Sequence, residues 1–424
     1  SKIIVLILTL FFAFGCNSKT QTKPNIVLIM TDDLNDYNED LKGHPQIISP
    51  NIKKLADSGV SFTNAYSNDP MCGPSRSSMI TGVYPHNSSN FWQKPWFNND
   101  VLNNTKTIME KFRENGYYVV GSGKILHHNK QELWSEFEHE ADYGPVAYKG
   151  LRKKGKRGVA HPDVAKPFSE IGQIDGSFGP FKNISNVVED GEKITWAYGG
   201  SRGYKEFKYV SEDDRDLTPD EINAQWAENK INELAKLDND NPFFLAVGFV
   251  RPHTPLIAPQ KYFDMYPLEE IELANILEKD KDDTFFHDED QFETKERRTR
   301  SIESYQNLIK SYKTKEEALK RFTQAYLACV TAVDDNIGQV VNAIDNSKFK
   351  DNTIIVFVSD HGWTLGEKDH IYKNSPWEES TRVPLTIRAP GLTKPNSKVN
   401  HPVSLIDVYP TLLELAGLDN NTAK

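Results

Sequence analysis

Short runs of apolar residues alternate with segments of helical periodicity along most of this chain. Runs of this length are typical of strands that are buried on both faces of a sheet. Strands are predicted at 25–30, 117–121, 243–250, 353–358 and 383–387. Helices are predicted at 49–58, 105–115, 218–237 and 316–344, with a further helix within 403–417. This alternation indicates an α/β fold with a central, mainly parallel sheet flanked by helices.

Two long segments interrupt the alternation. Residues 138–217 are rich in Gly, Pro and aromatic residues without a clear period, and residues 278–305 are densely charged. Both are long for plain connections. We interpret them as insertions that form a pocket, and ordinary surface excursions are the alternative.

Composition places the chain among soluble globular proteins. It has 424 residues, of which 38% are hydrophobic and 26% charged, enough for a sizeable core. The net charge of −10 argues against a general nucleic-acid binder, which would be basic. An anionic substrate would therefore need a local pocket of positive charge.

The first 22 residues resemble an export leader. An apolar run at 3–14 is too short to span a membrane and fits the core of a signal peptide. The sequence Ala13-Phe14-Gly15-Cys16 resembles a bacterial lipobox, in which Cys16 would be lipidated after cleavage. We expect an exported bacterial protein, periplasmic or anchored at the cell surface. An ordinary cleaved signal or a membrane stub is the alternative.

The chain has three cysteines, too few for a disulfide framework. Cys16 belongs to the leader, and Cys329 lies in an apolar helical stretch. Cys72 stands in Cys72-Gly73-Pro74-Ser75-Arg76, where Pro74 suits the first turn of a helix. A helix N-terminus favours anions, and Arg76 adds a cation. Cys72 is thus a candidate for chemistry, with a buried Cys beside a helix cap as the alternative.

Acidic residues follow two of the predicted strands. Asp32 and Asp33 come after the strand at 25–30, and Asp360 and His361 come after the strand at 353–358. Because ligands bind at the carboxyl ends of parallel strands, we expect these side chains to meet. Three carboxylates repel one another unless a cation lies between them, and oxygen ligands favour Ca²⁺ or Mg²⁺.

The Cys-x-Pro-Ser-Arg segment with Thr81-Gly82 resembles the signature of the formylglycine-dependent (type I) sulfatases of the alkaline phosphatase superfamily. Further similar segments are Lys23-Pro24-Asn25-Ile26-Val27, Ser49-Pro50-Asn51-Ile52, Gly123-Lys124 with His127, Arg251-Pro252-His253-Thr254-Pro255, Ser359-Asp360-His361-Gly362, Leu365-Gly366-Glu367 and Lys373. The resemblance implies an alkaline-phosphatase-like α/β sandwich. It also implies a sulfatase catalytic domain at 23–400, followed at 401–424 by the lead-in to a smaller C-terminal subdomain that is truncated here.

The resemblance also implies a mechanism and a role for each site residue. A maturation enzyme would oxidise Cys72 to formylglycine, whose hydrated aldehyde attacks sulfur and forms a covalent sulfate ester. Calcium would be held by Asp32, Asp33, Cys72, Asp360 and His361. The sulfate oxygens would be bound by Arg76, Lys124, His127, His253 and Lys373. His253 is the expected general acid, and His128 is the alternative to His127.

His361 marks a branch, because many sulfatases have Asn at this position. Phe243-Phe244-Leu245-Ala246-Val247-Gly248 and Gly362-Trp363-Thr364-Leu365-Gly366-Glu367 resemble the iduronate-2-sulfatase-like branch. With a bacterial leader, this resemblance implies a sulfated polysaccharide or oligosaccharide substrate, and ulvan or another algal glycan comes first. The alternatives are a glycosaminoglycan sulfatase, a phosphodiesterase or phosphonate hydrolase of the superfamily, and a non-catalytic surface glycan-binding protein.

Overall fold

The structure is a computed structural model, and it describes residues 23–149, 158–184, 186–200, 203–239, 241–284 and 300–420. The predicted leader with Cys16 lies outside the described residues, as do parts of both predicted insertions. Within the described ranges, every helix is too short or too polar to cross a membrane.

Strands and helices alternate through much of the described chain. The strands are β1 (Asn25–Asp32), β2 (Val60–Phe62), β3 (Ala65–Tyr66), β4 (Tyr118–Gly123), β5 (Glu136–Phe137), β6 (Val146–Lys149), β7 (Gly158–Val159), β8 (Phe178–Pro180), β9 (Val188–Glu189), β10 (Glu192–Gly200), β11 (Gly203–Glu206), β12 (Tyr209–Ser211), β13 (Asp214–Arg215), β14 (Phe243–Pro252), β15 (Leu256–Ala258), β16 (Thr353–Ser359), β17 (Thr364–Leu365), β18 (Ile371–Tyr372), β19 (Arg382–Val383), β20 (Leu385–Arg388), β21 (Ser397–Val399) and β22 (Val403–Ser404). The α-helices are α1 (Pro50–Asp57), α2 (Cys72–Thr81), α3 (Pro85–Ser88), α4 (Asp100–Asn103), α5 (Ile108–Glu114), α6 (Pro219–Ala235), α7 (Gln260–Phe263), α8 (Arg300–Lys310), α9 (Lys315–Asp345), α10 (Glu378–Thr381) and α11 (Val408–Leu415).

An eight-stranded sheet forms the centre of the molecule, in the order β21-β2-β20-β16-β1-β14-β4-β5. The neighbours from β16 to β5 are all parallel, and β20 runs antiparallel to both β16 and β2. The expected α/β architecture with a mainly parallel sheet is confirmed.

Helices cover both faces of this sheet. Along β1, Val27 and Ile29 pack into one apolar core, while Ile26 and Leu28 pack into the other. The first core is closed by α1, α6 and α9, and the second by α2, α5 and α11. A strand covered on both sides needs apolar residues at every position, which is why β1 has a continuous apolar run.

Two elements differ from the predictions by more than a shift of one or two residues at an end. Helix α5 begins at Ile108, not near residue 105, because Thr107 caps it in a reciprocal capping box with Glu110. The apolar run at 383–387 splits around Pro384, which has no N–H to donate to a ladder. Its second half, β20, is antiparallel to the neighbouring strand β16.

The aperiodic segment 138–217 contains ordered structure in its described part. Strands β6, β7, β9, β10 and β11 form an antiparallel sheet, and Phe181, Trp196 and Phe207 build a small core against it. This sheet brings the loop that contains Tyr143 to the carboxyl ends of the central strands, where Tyr143 contacts Lys124. At the other end of the chain, α11 packs into the second core.

Candidate active site

The carboxyl ends of four neighbouring strands meet at one edge of the central sheet. In the ladders, Thr31 pairs with Ser359, Asp32 with Pro252, and Gly248 with Gly123. The residues that follow these strand ends therefore converge, although they are far apart in sequence. They are Asp33 after β1, Lys124 after β4, His253 after β14, and Asp360 with His361 after β16.

Three buried carboxylates form the floor of the site. Asp32, Asp33 and Asp360 have no exposed surface, and the N–H of Asp33 donates a 3.1 Å hydrogen bond to Oδ1 of Asp360. Ligand atoms of Asp32, Cys72, Asp360 and His361 all lie within 4.8 Å of one another, as do those of Asp32, Asp33, Cys72 and His253. The predicted acidic residues are thus brought together.

This cluster fits a divalent cation. Burial raises the pKa of Asp33 well above its usual value, although Lys373 and His361 act in the opposite direction. Oδ2 of Asp33 is buried and has no hydrogen-bond partner among the described residues. A buried, unpaired carboxylate oxygen is costly unless a cation or a proton compensates it. Oxygen ligands of this kind suit Ca²⁺ or Mg²⁺.

The ring of His361 is oriented so that one of its nitrogens faces the same cluster and could bind the cation. Its Nδ1 lies 3.0 Å from the carbonyl oxygen of Gly362, so this nitrogen carries the proton and donates it. Nε2 then faces the cluster, 3.3 Å from Oδ1 of Asp33 and 3.3 Å from Sγ of Cys72. A backbone carbonyl that fixes the tautomer is a common support for a ligating histidine.

In the metal-free cluster His361 would be protonated. Burial opposes the charge, but Asp360, the Cys72 thiolate and Asp33 outweigh burial and raise the pKa of His361 to about 10. A bound cation would favour the neutral ring instead.

Cys72 is the first residue of α2 and is buried. The preceding Met71 is extended, and Gly82 ends the helix with a φ of 69°, a conformation that favours glycine. Sγ of Cys72 lies 3.1 Å from Nζ of Lys373. Burial and Asp32 would raise the pKa of the Cys72 thiol, but the net shift is downward because Lys373 and His361 lie beside it.

Arg76 lies beneath the carboxylates, one turn into α2. It is fully buried, and its guanidinium donates to Oδ2 of Asp360 at 2.8 Å and to Oδ1 of Asp32 at 3.0 Å. Its remaining hydrogen bonds run to the carbonyl oxygens of Thr31, Lys124 and Ile125. All these acceptors are oxygens of the protein, so the structure does not test the expected contact of Arg76 with sulfate. That contact stays a prediction.

Lys124 and His127 follow β4. Nζ of Lys124 lies 3.0 Å from Oδ2 of Asp32, contacts the hydroxyl of Tyr143 and lies 4.5 Å from the centre of that ring. Burial, together with the charge of Lys124, lowers the pKa of His127 to about 3, so this ring is neutral near pH 7. Its alternative, His128, directs Nε2 to the carbonyl oxygen of Gln93 at 3.2 Å.

His253 and Lys373 complete the group. Nδ1 of His253 bonds to the carbonyl oxygen of Thr254 at 2.6 Å, and Nε2 faces Oδ2 of Asp33 at 3.8 Å. Burial and Lys373 lower the pKa of His253 well below its usual value. Nζ of Lys373 bonds to Oδ1 of Asp33 at 2.8 Å.

Sequence reasoning missed three neighbours of this group. Tyr143 contacts Lys124 and lies 5.0 Å from the His253 ring, and Gln93 accepts the N–H of Gly73 through Oε1 at 2.8 Å. Trp363 lies under Lys373, with 5.9 Å between Nζ and the ring centre. Trp363 stood in a branch motif, but Tyr143 and Gln93 lie in segments that have no period or motif to reveal them.

Comparison with known proteins identifies the family. The family model described as Sulfatase matches residues 24–418, which is nearly the whole described chain. The chain belongs to the sulfatase family. It is therefore a hydrolase of sulfuric esters, as the Cys72 segment predicted.

Individual sulfatases that carry different names are similar in sequence to this chain. A sulfatase of Formosa agariphila is 35% identical, with 94% of this chain and 70% of the relative aligned. An ulvan-active sulfatase of the same organism is 28% identical, over 96% of this chain and 66% of the relative. The iduronate 2-sulfatase of Mus musculus is 28% identical, over 93% and 69%.

A solved structure supports the fold. The crystal structure of Ps i-CgsB in complex with k-i-k-neocarrahexaose superimposes with a TM-score of 0.56 at 26% identity. The alignment covers 94% of this sulfatase and 73% of that chain. The expected alkaline-phosphatase-like architecture agrees with this likeness.

Proposed function

We propose that this sulfatase hydrolyses sulfate esters of a sulfated polysaccharide or its oligosaccharides, with Cys72 as the precursor of a formylglycine nucleophile. The observation that carries the proposal is the position of Cys72. It begins a helix, and its Sγ lies 3.1 Å from Nζ of Lys373 and 3.3 Å from Nε2 of His361, beside three buried carboxylates. Formylglycine would supply a hydrated aldehyde whose hydroxyl attacks sulfur.

Asp32, Asp33, Asp360 and His361, with the converted Cys72, would hold a calcium ion. The ion would supply positive charge next to the reacting group. The buried guanidinium of Arg76 bonds to two of these carboxylates, Asp32 and Asp360, and fixes their positions. We propose that this clamp keeps the cation ligands in place before substrate binds.

Three residues would act on the sulfate oxygens. Lys124 and Lys373 stay charged, because the carboxylates beside them raise the pKa of each ammonium despite burial. His127 is neutral and is available to share a hydrogen bond. Preorganised donors of this kind stabilise the charge that develops in the transition state.

His253 would protonate the leaving alcohol. Its Nδ1 is committed to the carbonyl oxygen of Thr254, so the proton to be transferred would be carried on Nε2, the nitrogen that faces the site. His253 is largely buried and lies near the charge of Lys373, and both effects favour the neutral ring before substrate binds. Binding of an anionic sulfate would favour its protonation.

An algal glycan is the substrate that we propose first, and ulvan is the leading example. Support comes from the ulvan-active relative and from the neocarrahexaose complex of the structural neighbour. The iduronate 2-sulfatase relative favours a glycosaminoglycan as the second candidate.

We also propose that the protein is exported and anchored through Cys16. Metabolic labelling with a radioactive fatty acid, in wild type and in Cys16→Ala, would test this anchor.

Peptide mass spectrometry across Cys72, combined with a Cys72→Ser variant, tests the nucleophile. We expect formylglycine in active protein, and a fall of at least about a thousandfold in kcat for Cys72→Ser, the scale on which loss of a nucleophile acts. Cys329→Ala is the matched control. Cys329 is buried in α9, so this change affects packing and leaves turnover intact. Sulfate release by Cys72→Ser at the wild-type rate would refute the assignment.

A comparison of substrates tests the rest. Sulfate release is measured on ulvan oligomers and on heparin disaccharides side by side. Turnover of heparin units alone would overturn the algal proposal and favour the glycosaminoglycan one. An aryl sulfate and an aryl phosphodiester are compared in the same assay, and preference for the diester would indicate a phosphodiesterase. Binding without turnover by formylglycine-bearing protein would indicate a glycan-binding protein.

A further inference from the structure

Asp175 connects the two loops that carry His253 and Lys373. Its Oδ1 accepts a 2.6 Å hydrogen bond from Oγ1 of Thr254, the residue after His253. Its carbonyl oxygen accepts a 2.6 Å hydrogen bond from the hydroxyl of Tyr372, the residue before Lys373. Asp175 therefore bonds to the residues that adjoin His253 and Lys373 in the sequence, and so links the two loops that carry these active-site side chains.

The other oxygen of Asp175 pairs with Arg300, the first residue of α8. The Arg300 side chain is 71% exposed, whereas that of Asp175 is 19% exposed. The next residue, Ser301, bonds through its hydroxyl to the carbonyl oxygen of Lys373 at 3.2 Å. Arg300 is thus held beside the loops that carry His253 and Lys373, with most of its side chain open to solvent.

A cavity of about 380 Å³ opens beside this pair. It is lined by Gly158, Ile171, Gly172, Gln173, Ile174, Asp175 and Arg300. Among these lining residues the charged ones are Asp175 and Arg300, which pair with each other. This volume is within the range of ligand pockets. Asp175 and Arg300 offset each other's charge, and the mostly exposed guanidinium side chain of Arg300 supplies cationic N–H donors beside the cavity, in a chain whose net charge is −10.

We propose that Arg300 binds an anionic group on the sugar next to the one that carries the scissile sulfate. This inference rests on the proposed function and gives it a substrate class, a glycan that is charged on adjacent units. The guanidinium offers five N–H donors in a planar fork that fits a carboxylate or a sulfate. Because one of its nitrogens bonds to Asp175, the fork is oriented before the glycan arrives.

The rival explanation is that Arg300 only braces Asp175 and, through it, the His253 and Lys373 loops. A brace would act on every substrate, whereas a subsite acts only on substrates with the second anion. Two substrate pairs separate these possibilities. The first pair is a disaccharide that has one sulfate and a neighbouring uronic acid, compared with the same disaccharide after its carboxyl group has been reduced. The other is a neutral disaccharide sulfated on both units, with the form that lacks the second sulfate.

The experiment measures KM and kcat of wild type, Arg300→Gln and Arg113→Gln on both pairs and on 4-nitrophenyl sulfate. Arg113 is an exposed arginine of α5 that bonds to the carbonyl oxygen of Glu132, and it does not line the cavity. For Arg300→Gln we expect KM to rise about tenfold on a doubly charged disaccharide, the scale of one charge-assisted hydrogen bond. The singly charged partners and 4-nitrophenyl sulfate should keep their KM and kcat. The pair that responds identifies the anion.

An equal loss on all substrates would show a brace and overturn the proposal, as would no loss on either pair. The same comparison by calorimetry, with Arg300→Gln added to Cys72→Ser protein, needs no turnover. If wild type released no sulfate while Arg300 still discriminated in binding, the proposed function would fail and the subsite would stand.

Discussion

Nε of Arg76 donates a 2.8 Å hydrogen bond to Oδ2 of Asp360, and neither side chain is exposed to solvent. The same guanidinium bonds to Asp32, so one cation serves two carboxylates from neighbouring strands. Removal of one partner from a buried ion pair strongly destabilises the folded state, because the other charge is left buried and unpaired. This holds even where the intact pair adds little to the free energy of unfolding.

Arg76→Gln should therefore destabilise the protein by about 3–5 kcal/mol, because Asp32 and Asp360 lose their shared partner. Urea denaturation with the metal removed by a chelator measures the change. The control is Arg321→Gln, whose partner Glu317 lies one turn earlier on α9, and loss of this more exposed pair should cost about 0.5 kcal/mol. Equal effects of the two substitutions would contradict the clamp.

Removal of divalent cations should lower both turnover and thermal stability, since Asp32, Asp33 and Asp360 then repel one another. At a cation concentration about a hundredfold above Kd, binding should stabilise the folded state by about 2.7 kcal/mol. Differential scanning calorimetry with a chelator, and then with added Ca²⁺ or Mg²⁺, measures this shift. A Tm that is independent of the cation would contradict the proposed site.

Asp33→Asn should abolish the cation-dependent shift in Tm, because it removes a charged ligand from the cluster. Asp334→Asn is the matched control, since Asp334 is also a buried carboxylate but accepts the N–H groups of Asn51 and Ile52 at the start of α1. The control should lower Tm and keep the shift. Loss of the shift in both variants would point to a general effect of packing.

Tyr143→Phe should lower kcat/KM about tenfold. The change removes the hydroxyl that contacts Nζ of Lys124, a hydrogen bond to a charged group worth about 1.5 kcal/mol. The ring remains, so packing against His253 is retained. Tyr198→Phe is the control, because the Tyr198 hydroxyl bonds to the carbonyl oxygen of Leu217 in the same insertion. Equal losses in steady-state kinetics would show that the contact with Lys124 is not what matters.

The raised pKa of Asp220 predicts that the stability of the folded state depends on pH. It accepts the N–H groups of Val250 and Arg251 near the end of β14, and burial raises its pKa from 3.8 to about 6, although Arg251 opposes the shift. The folded state thus binds this proton more tightly than the unfolded state. The stabilisation it gives is complete below pH 3.8 and is lost as the pH rises through about 6.

Between pH 4 and 7, wild type should therefore lose on the order of 3 kcal/mol relative to Asp220→Asn. Urea denaturation across this range measures the difference in slope. Both proteins share the other buried carboxyl groups, such as Asp334, so the difference isolates Asp220. Parallel pH profiles would contradict the raised pKa.

Most central strands could be predicted from the sequence, because a strand covered on both faces has a continuous apolar run. The capping box at Thr218 likewise fixed the start of α6, since both of its hydrogen bonds join Thr218 and Glu221, which are three residues apart. The antiparallel sheet within 138–217 was not predicted, because β6, β7, β9 and β11 have only two to four residues each and the Gly-rich and Pro-rich segment around them has no clear period. The direction of β20 was also hidden, since an apolar run does not reveal which way its strand pairs.

By itself the sequence determined where most central strands lie, to within about two residues at their ends, the start of α2 at Cys72, and the identity of the residues that follow the strands. These features depend on groups a few residues apart. Only the tertiary structure decided that Arg76 clamps Asp32 to Asp360, that Tyr143 reaches Lys124, and that Asp175 holds Arg300 beside the His253 and Lys373 loops. Each of these contacts joins separate elements, and Asp175 and Tyr372 are 197 residues apart. No local pattern can encode such a pairing, because it forms only when the sheet sets the strand ends side by side.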